Sequence, residues 1–330
     1  MRYQNRPSAL SGLIGTRAPF DIPAEVKEEA VRAMLEREWN RYPDAEGGEG
    51  LRQDIADSLG LGMGNVVVGN GSDDLLPEVI TMFRRIYVYE PTFEMYRFFA
   101  EKHGVQYVPV WLSPEFRFPE PPETGSGDLL VVCRPNNPTG TEAEEDIVLS
   151  ALERGTNVLL DEAYWDFSGH TMVEKVSDYP NLMVLRTFSK AFSMAGVRVG
   201  YLVASEETAS RVLGRRAPFP VNVLSECVAR AMLRHRDLVR KTVDYIVAER
   251  ERMEQRLGEL CVRSTTNFFL VKGDMRERLA ERGGILVRKL SGRLSEMSRV
   301  TVGERRENDA FLEAYLELVS GGAGGRLAGP

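Results

Sequence analysis

A serine–lysine pair, Ser189-Lys190, stands beyond the carboxyl end of an apolar, β-rich run from Leu182 to Leu185, and Arg198 follows eight residues later, past a small-residue turn. A lysine carried there by a buried strand is misplaced for a solvated surface charge. Its amine is well placed to condense with an aldehyde, while Ser189 and Arg198 hold a phosphate. A condensing lysine beside a phosphate clamp is the protein side of pyridoxal-phosphate chemistry. Taken alone, a Ser-Lys pair serves equally well as ordinary surface sequence. What stands at the other strand ends must decide.

In an open parallel sheet, ligand groups gather at the carboxyl ends of the strands. After Val66-Val-Val comes Gly69-Asn-Gly-Ser72-Asp73, a strand-turn-helix start whose N–H groups can cup a phosphate; a glycine turn with an aspartate cap would look the same, and the ending of a Walker loop is missing. After Ile86 to Tyr89 comes Phe93, able to cover one face of a flat heteroaromatic ring or simply to pack in the core. After Leu130 to Cys133 comes Arg134-Pro-Asn-Asn137-Pro-Thr-Gly140. This rigid polar turn can set the Asn137 amide against a ring oxygen, or be structure alone. After Val158 to Leu160 comes Asp161, then Tyr164. A carboxylate leaving a buried strand needs a cationic partner, and a protonated pyridine nitrogen is one that also becomes a better electron sink. Tyr164 can donate to the ring oxygen; a helix-capping Asp161 is the other use. Each piece has an ordinary explanation, but their joint occurrence in this order points to one cofactor site.

The elements that must position these residues follow from periodicity. A helix begins near Pro23, with Val26, Ala30, Ala33 and Met34 as its apolar stripe. Tyr42 to Gly50 is a glycine-rich loop. Strands are predicted at Asn65–Val68, Ile86–Tyr89, Val105–Val108, Leu129–Cys133, Val158–Leu160, Leu182–Arg186 and Val199–Val203. Several are almost wholly apolar, as a sheet covered on both faces requires. Thr141 to Glu144 reads as a capping box and Gly155 as the end of that helix. Helices alternating with such strands give an α/β fold with a large, doubly wound, mostly parallel sheet. After about residue 220 the texture turns strongly helical and charged over Val223–Leu257. Strands follow at Asn267–Val271 and Val300–Val302, and then a closing helix through Phe311, Leu312, Tyr315, Leu316 and Val319. The expected organisation is an amino-terminal arm and helix over 1–40, a large cofactor-binding domain over 41–220, a small α+β domain over 221–320, and a flexible tail over 321–330.

Composition narrows the function classes. The 330 residues are 43% hydrophobic and 28% charged, with a formal net charge of −7. That balance suits a globular chain and argues against a general nucleic-acid or anionic-membrane binder. The run of residues long enough to span a bilayer is missing, and the start Met1-Arg-Tyr-Gln-Asn-Arg lacks a secretory core; the expected location is the cytoplasm. Cys133, Cys227 and Cys261, like His103, His170 and His235, are scattered, so neither disulfides nor a metal site is expected.

Arg41-Tyr-Pro-Asp44, Gly71-Ser-Asp73, Pro91-Thr-Phe-Glu-Met-Tyr96, Pro135-Asn-Asn-Pro-Thr-Gly140, Asp161-Glu-Ala-Tyr164, Arg186-Thr-Phe-Ser-Lys-Ala-Phe192, Ala195-Gly-Val-Arg198-Val-Gly200 and Arg299-Val-Thr-Val-Gly303 together resemble the fold type I pyridoxal-phosphate aminotransferases (class I and II), and within them most resemble the histidinol-phosphate aminotransferases. The resemblance runs from about residue 40 to 318. It implies that Lys190 carries the cofactor and is the general acid/base, that Asp161 pairs with the ring nitrogen, and that Asn137 and Tyr164 bind the ring oxygen. It further implies that Phe93 stacks on the ring, that Ser72, Asp73, Ser189 and Arg198 surround the phosphate, and that Tyr42 reaches the phosphate of a neighbouring subunit in a homodimer. Arg299, with Arg288 as a second candidate, would face the substrate carboxylate or phosphate. The family's Asn-Glu-Asn-Pro segment is absent; Ala18-Pro-Phe-Asp-Ile-Pro23 stands about where it belongs. The expected activity is amino transfer between an amino acid or amino-alcohol phosphate and a 2-oxo acid, with histidinol phosphate and 2-oxoglutarate as the leading pair. An aromatic or broad amino-acid aminotransferase, a threonine-phosphate decarboxylase-like enzyme, and a non-catalytic cofactor-binding protein are the alternatives.

Overall fold

Seven short apolar runs form one sheet in the computed structural model, which describes residues 13–323. The strands are β1 (Val66–Gly69), β2 (Arg85–Glu90), β3 (Gln106–Trp111), β4 (Asp128–Cys133), β5 (Asn157–Asp161), β6 (Leu182–Thr187) and β7 (Gly200–Ala204). Each coincides with a predicted run to within three residues at either end. Their order across the sheet is β1-β7-β6-β5-β4-β2-β3. The pairings from β6 through β5, β4 and β2 to β3 are all parallel, while β7 runs antiparallel to both β6 and β1. The reversal matters for the site. It puts the start of β7, and Arg198 just before it, at the same edge as the ends of the parallel strands.

Side-chain alternation explains why the runs are so apolar. Leu129, Val131 and Leu159 join Leu76, Val79 and Tyr96 in a core on one face, whereas Leu130, Val132 and Leu160 join Val148, Ala151 and Leu152 on the other. With both faces buried, the period-two pattern of a half-solvated strand disappears.

A second, antiparallel sheet contains β8 (Cys261–Val262), β9 (Phe268–Lys272), β10 (Arg288–Lys289) and β11 (Met297–Thr301), in the order β10-β11-β9-β8. The charged helical stretch divides at His235 into Val223–Arg234 and Arg236–Leu257. The helix Ala24–Leu35 packs along the first of these, burying Val26 and Ala30 while Ala33 and Met34 are half-buried. Glu29 ties the two together through Arg234 at 2.6 Å and His235 at 2.7 Å.

Two expectations are corrected. The capping box does not form: the helix runs Glu145–Glu153 with Glu144 at its N-cap and no side-chain cap. The Thr141 hydroxyl is instead engaged by Thr139 at 2.8 Å and by the Phe116 carbonyl at 3.3 Å. The expected tail also begins too early, because the last helix spans Arg305–Ala323. Phe311, Leu312 and Tyr315 anchor it in the core, and once a helix is nucleated each added residue costs little. The rest of that tail, and residues 1–12 of the arm, lie outside the described residues. Among the described residues there is no helix long and apolar enough to cross a membrane and no His/Cys/Asp/Glu cluster able to hold a metal ion.

Candidate active site

The site is built where β5 and β6 end. Arg186, next to last in β6, and Glu162, just after β5, are 1% and 0% exposed. The guanidinium donates twice to Glu162 Oε2, at 2.9 and 2.7 Å, and stacks 4.0 Å from the Trp165 ring. A buried pair of this kind is costly to break from one side, so it locks the two strand ends, and thereby Asp161 and Lys190, in fixed register. Past β6 the Ser189 N–H donates to Thr187 Oγ1 at 3.1 Å, turning the chain sharply before the lysine.

Lys190 is half-buried, and its Nζ donates to Thr16 Oγ1 at 2.6 Å. Burial, helped by the charge of Arg299, brings its pKa down to about 8, against the pull of Asp73 and Asp161. A neutral, nucleophilic amine is therefore accessible near working pH. Asp161 is 4% exposed. Its Oδ2 accepts from the Tyr96 hydroxyl at 2.5 Å and its Oδ1 from the Ala163 N–H at 3.0 Å. Burial still pushes its pKa up to about 6. The carboxylate is desolvated and would be stabilised by a cation. The Tyr164 hydroxyl donates to Thr16 Oγ1 at 3.1 Å, and burial pushes that phenol's pKa up.

At the other end of the cleft, Arg198 holds a left-handed backbone (φ 58°). Its guanidinium reaches Asp73 Oδ2 at 3.2 Å and Ser189 Oγ at 3.4 Å. From the second sheet, Arg299 Nη1 donates to Asn137 Oδ1 at 2.6 Å and lies over the Phe268 ring at 5.1 Å. Arg288, paired with Arg299 across β10 and β11, approaches Glu94 at 3.6 Å.

The chain is similar to known proteins over most of its length. The family model for aminotransferase class I and II matches residues 16–314. The chain is 45% identical over 314 residues to a histidinol-phosphate aminotransferase of Thermococcus gammatolerans, covering 94% of this chain and 92% of that one. The chain belongs to the class I and II aminotransferases. A Pyrococcus furiosus protein of the same name is 40% identical over 309 residues, covering 92% and 90%. The fold is similar to that of the Sinorhizobium meliloti histidinol-phosphate aminotransferase solved with pyridoxal-5'-phosphate, with a TM-score of 0.83 at 23% identity, covering 95% of this chain and 91% of that one. This aminotransferase is accordingly a fold type I, pyridoxal-phosphate-dependent enzyme.

The residues present fit that cofactor on structural grounds. A Cβ at Gly200 would sit 2.2 Å from the Ser72 nitrogen, and one at Gly71 (φ 82°) 2.5 Å from Arg198 Nη2. Backbone and guanidinium are thus drawn closer than any side chain would allow, around a cradle of Ser72, Asp73, Ser189 and Arg198. The far end offers the desolvated Asp161 carboxylate to a cationic ring nitrogen. We expect Gly200→Ala to push the 71–73 turn outward and to weaken cofactor affinity by at least about tenfold, because the clash is with backbone. Equilibrium titration of the cofactor-free aminotransferase checks this, and unchanged affinity would count against the cradle.

Of the residues singled out from the sequence, Lys190 and Tyr164 meet at Thr16, Arg299 reaches Asn137, and Arg198 reaches Ser189 and Asp73, while Lys190 feels the charges of Asp161, Asp73, Arg299 and Arg198. Ser72 is half-buried in the same turn. Phe93 lies edge-on to Tyr96 at 5.6 Å, and Tyr96 in turn donates to Asp161. Tyr42 stands apart, 83% exposed and stacked on Phe219. Two residues escaped sequence reasoning. Tyr96 was visible one helical turn past Phe93, but its bond to Asp161 was not. Thr16, in the arm, had no local signal at all.

Proposed function

We propose that this aminotransferase moves an amino group from histidinol phosphate to 2-oxoglutarate, working as a homodimer in the cytoplasm. The observation that carries the donor assignment is the register of the small sheet. Arg288 and Arg299 are directly opposed on β10 and β11, hence on one face. Their contacts with Glu94 and Asn137 turn that face to the ends of β2 and β4. Two guanidiniums suit a donor that carries a phosphate, given that a 2-oxo acid with two carboxylates must use the same site in turn. The similarity to histidinol-phosphate aminotransferases over nine-tenths of the chain supports the same reading.

Bound pyridoxal phosphate supplies an electron sink joined to the donor's α-carbon. The protein does the rest. Lys190 would hold the cofactor, and its amine, when free, would take the α-proton and return it on the other side of the transfer. The Asp161 carboxylate keeps the ring nitrogen protonated. Asn137 and Tyr164 would hold the ring oxygen, and Phe93 would pack against the ring. Ser72, Asp73, Ser189 and Arg198 hold the phosphate, to which the exposed Tyr42 of the other subunit adds a hydroxyl. Arg299 and Arg288 orient the substrate anions. Because one site serves donor and acceptor in succession, ping-pong kinetics follow. The same reading divides the chain into an arm and helix (1–40), a large cofactor-binding part (41–220) and a small part (221–320).

Half-reaction spectra with histidinol phosphate, phosphothreonine and phenylalanine test the donor. Histidinol phosphate should react with the highest kcat/KM. Arg288→Ala should raise its KM about tenfold or more, the loss of one charge-assisted contact, while phenylalanine is unaffected. Preference for phenylalanine would overturn the assignment in favour of an aromatic aminotransferase, and carbon dioxide release from phosphothreonine in favour of a decarboxylase.

A further inference from the structure

The arm delivers one hydroxyl to the centre of the site, and two donors converge on it. Thr16 Oγ1 accepts from Lys190 Nζ at 2.6 Å and from the Tyr164 hydroxyl at 3.1 Å. A hydroxyl oxygen has two acceptor positions, and these two groups occupy both. The oxygen is held in place from the small-sheet side. Leu13 is fully buried, so close to Gly303 that a Cβ there would meet Leu13 Cδ2 at 2.9 Å. The Arg17 carbonyl accepts from Asn267 Nδ2 at 3.4 Å, and Ala18 is buried beyond it. The segment is thus pinned on both sides of Thr16.

We propose that Thr16 is a positioning residue for Lys190, its hydroxyl being the fixed acceptor that receives the lysine amine whenever that amine is not covalently attached. The inference rests on the role given to Lys190 above. A lysine amine on a four-carbon stem has many rotamers, and proton transfer needs it at one place. The charged groups around it act on its charge and not on its position: Arg299 and Arg198 disfavour the ammonium, while Asp73 and Asp161 favour it. Thr16 supplies an uncharged acceptor at hydrogen-bond distance, and shares it with Tyr164, whose ring lies 5.2 Å from Nζ. Docking of the arm and placement of the amine become one event.

Two rates with opposite expected signs test this. The first is condensation of Lys190 with pyridoxal phosphate in cofactor-free protein, where the amine nitrogen bonds the aldehyde carbon and one water leaves. In Thr16→Val the ammonium loses an acceptor, the neutral amine is favoured, and condensation near pH 7 should run about two- to fivefold faster. The second is turnover of the loaded enzyme, where the unplaced amine should lower kcat about tenfold with KM little changed. Thr16→Ser should restore both, and Thr16→Ala, with no branched bulk, should behave as valine does. Equal rates in Thr16→Val and wild type, or a fall in both rates that serine does not restore, would overturn the proposal. Failure of the wild-type chain to acquire a borohydride-stable adduct at residue 190 would instead sink the reading of Lys190 itself.

Discussion

Lys190→Ala will lower amino transfer on the order of 10⁴-fold, because one side chain is both the attachment point and the proton carrier. The fold should survive the change. The Lys190 amine is hydrogen-bonded to Thr16, and truncation removes an amine whose charge burial already disfavours. Steady-state assays of the purified variant at saturating cofactor measure the loss. Mass spectrometry after borohydride reduction provides the second check, with a cofactor adduct at residue 190 in the wild type and none in the variant. Near wild-type turnover in Lys190→Ala would remove the basis of the mechanism.

Asp161→Asn should separate catalysis from stability. The amide keeps the shape but not the charge, so the ring nitrogen loses its counter-ion and kcat should fall about 10³-fold, the scale of one preorganised electrostatic contact. The cofactor-free variant should nevertheless be more stable than the wild type at neutral pH. Unfolded, an aspartate of this kind ionises near 3.8, whereas buried Asp161 ionises at about 6. Between those values the folded chain holds a proton that the unfolded chain has released, so stability falls as pH rises through the window. Above it the full cost of about 3 kcal/mol is in place. Asparagine has no proton to lose. Melting curves of cofactor-free protein should therefore show the variant several degrees higher at about pH 8 and level with wild type at about pH 3.5, below the window. A variant less stable at both pH values would mean that the carboxylate is satisfied without the cofactor.

Much of the candidate site is legible in the sequence, and the reason is local. Asp161 ends, and Asn137 and Lys190 closely follow, strands whose continuous apolar runs mark burial on both faces, and the residues that leave such a strand form either a turn or a ligand site. The glycines around Ser72 and the prolines around Asn137 announced their turns through backbone restrictions that hold in any fold. Thr141 misled for the same local reason: its spacing to Glu144 suited a cap, but its hydroxyl found partners on a neighbouring turn. Arg186 and Glu162 appeared in the motifs, yet nothing nearby revealed that they clasp each other.

By itself the chain specified which segments are buried strands, in what order, and which reactive groups lie just past them, because burial and turn geometry act on neighbouring residues. Tertiary structure alone decided that β7 reverses, since the apolar pattern of a strand buried on both faces is the same in either direction. It alone joined Arg299 to Asn137 across 162 residues and Thr16 to Lys190 across 174. Contacts between separate layers depend on how those layers pack, and no periodicity along the chain encodes that.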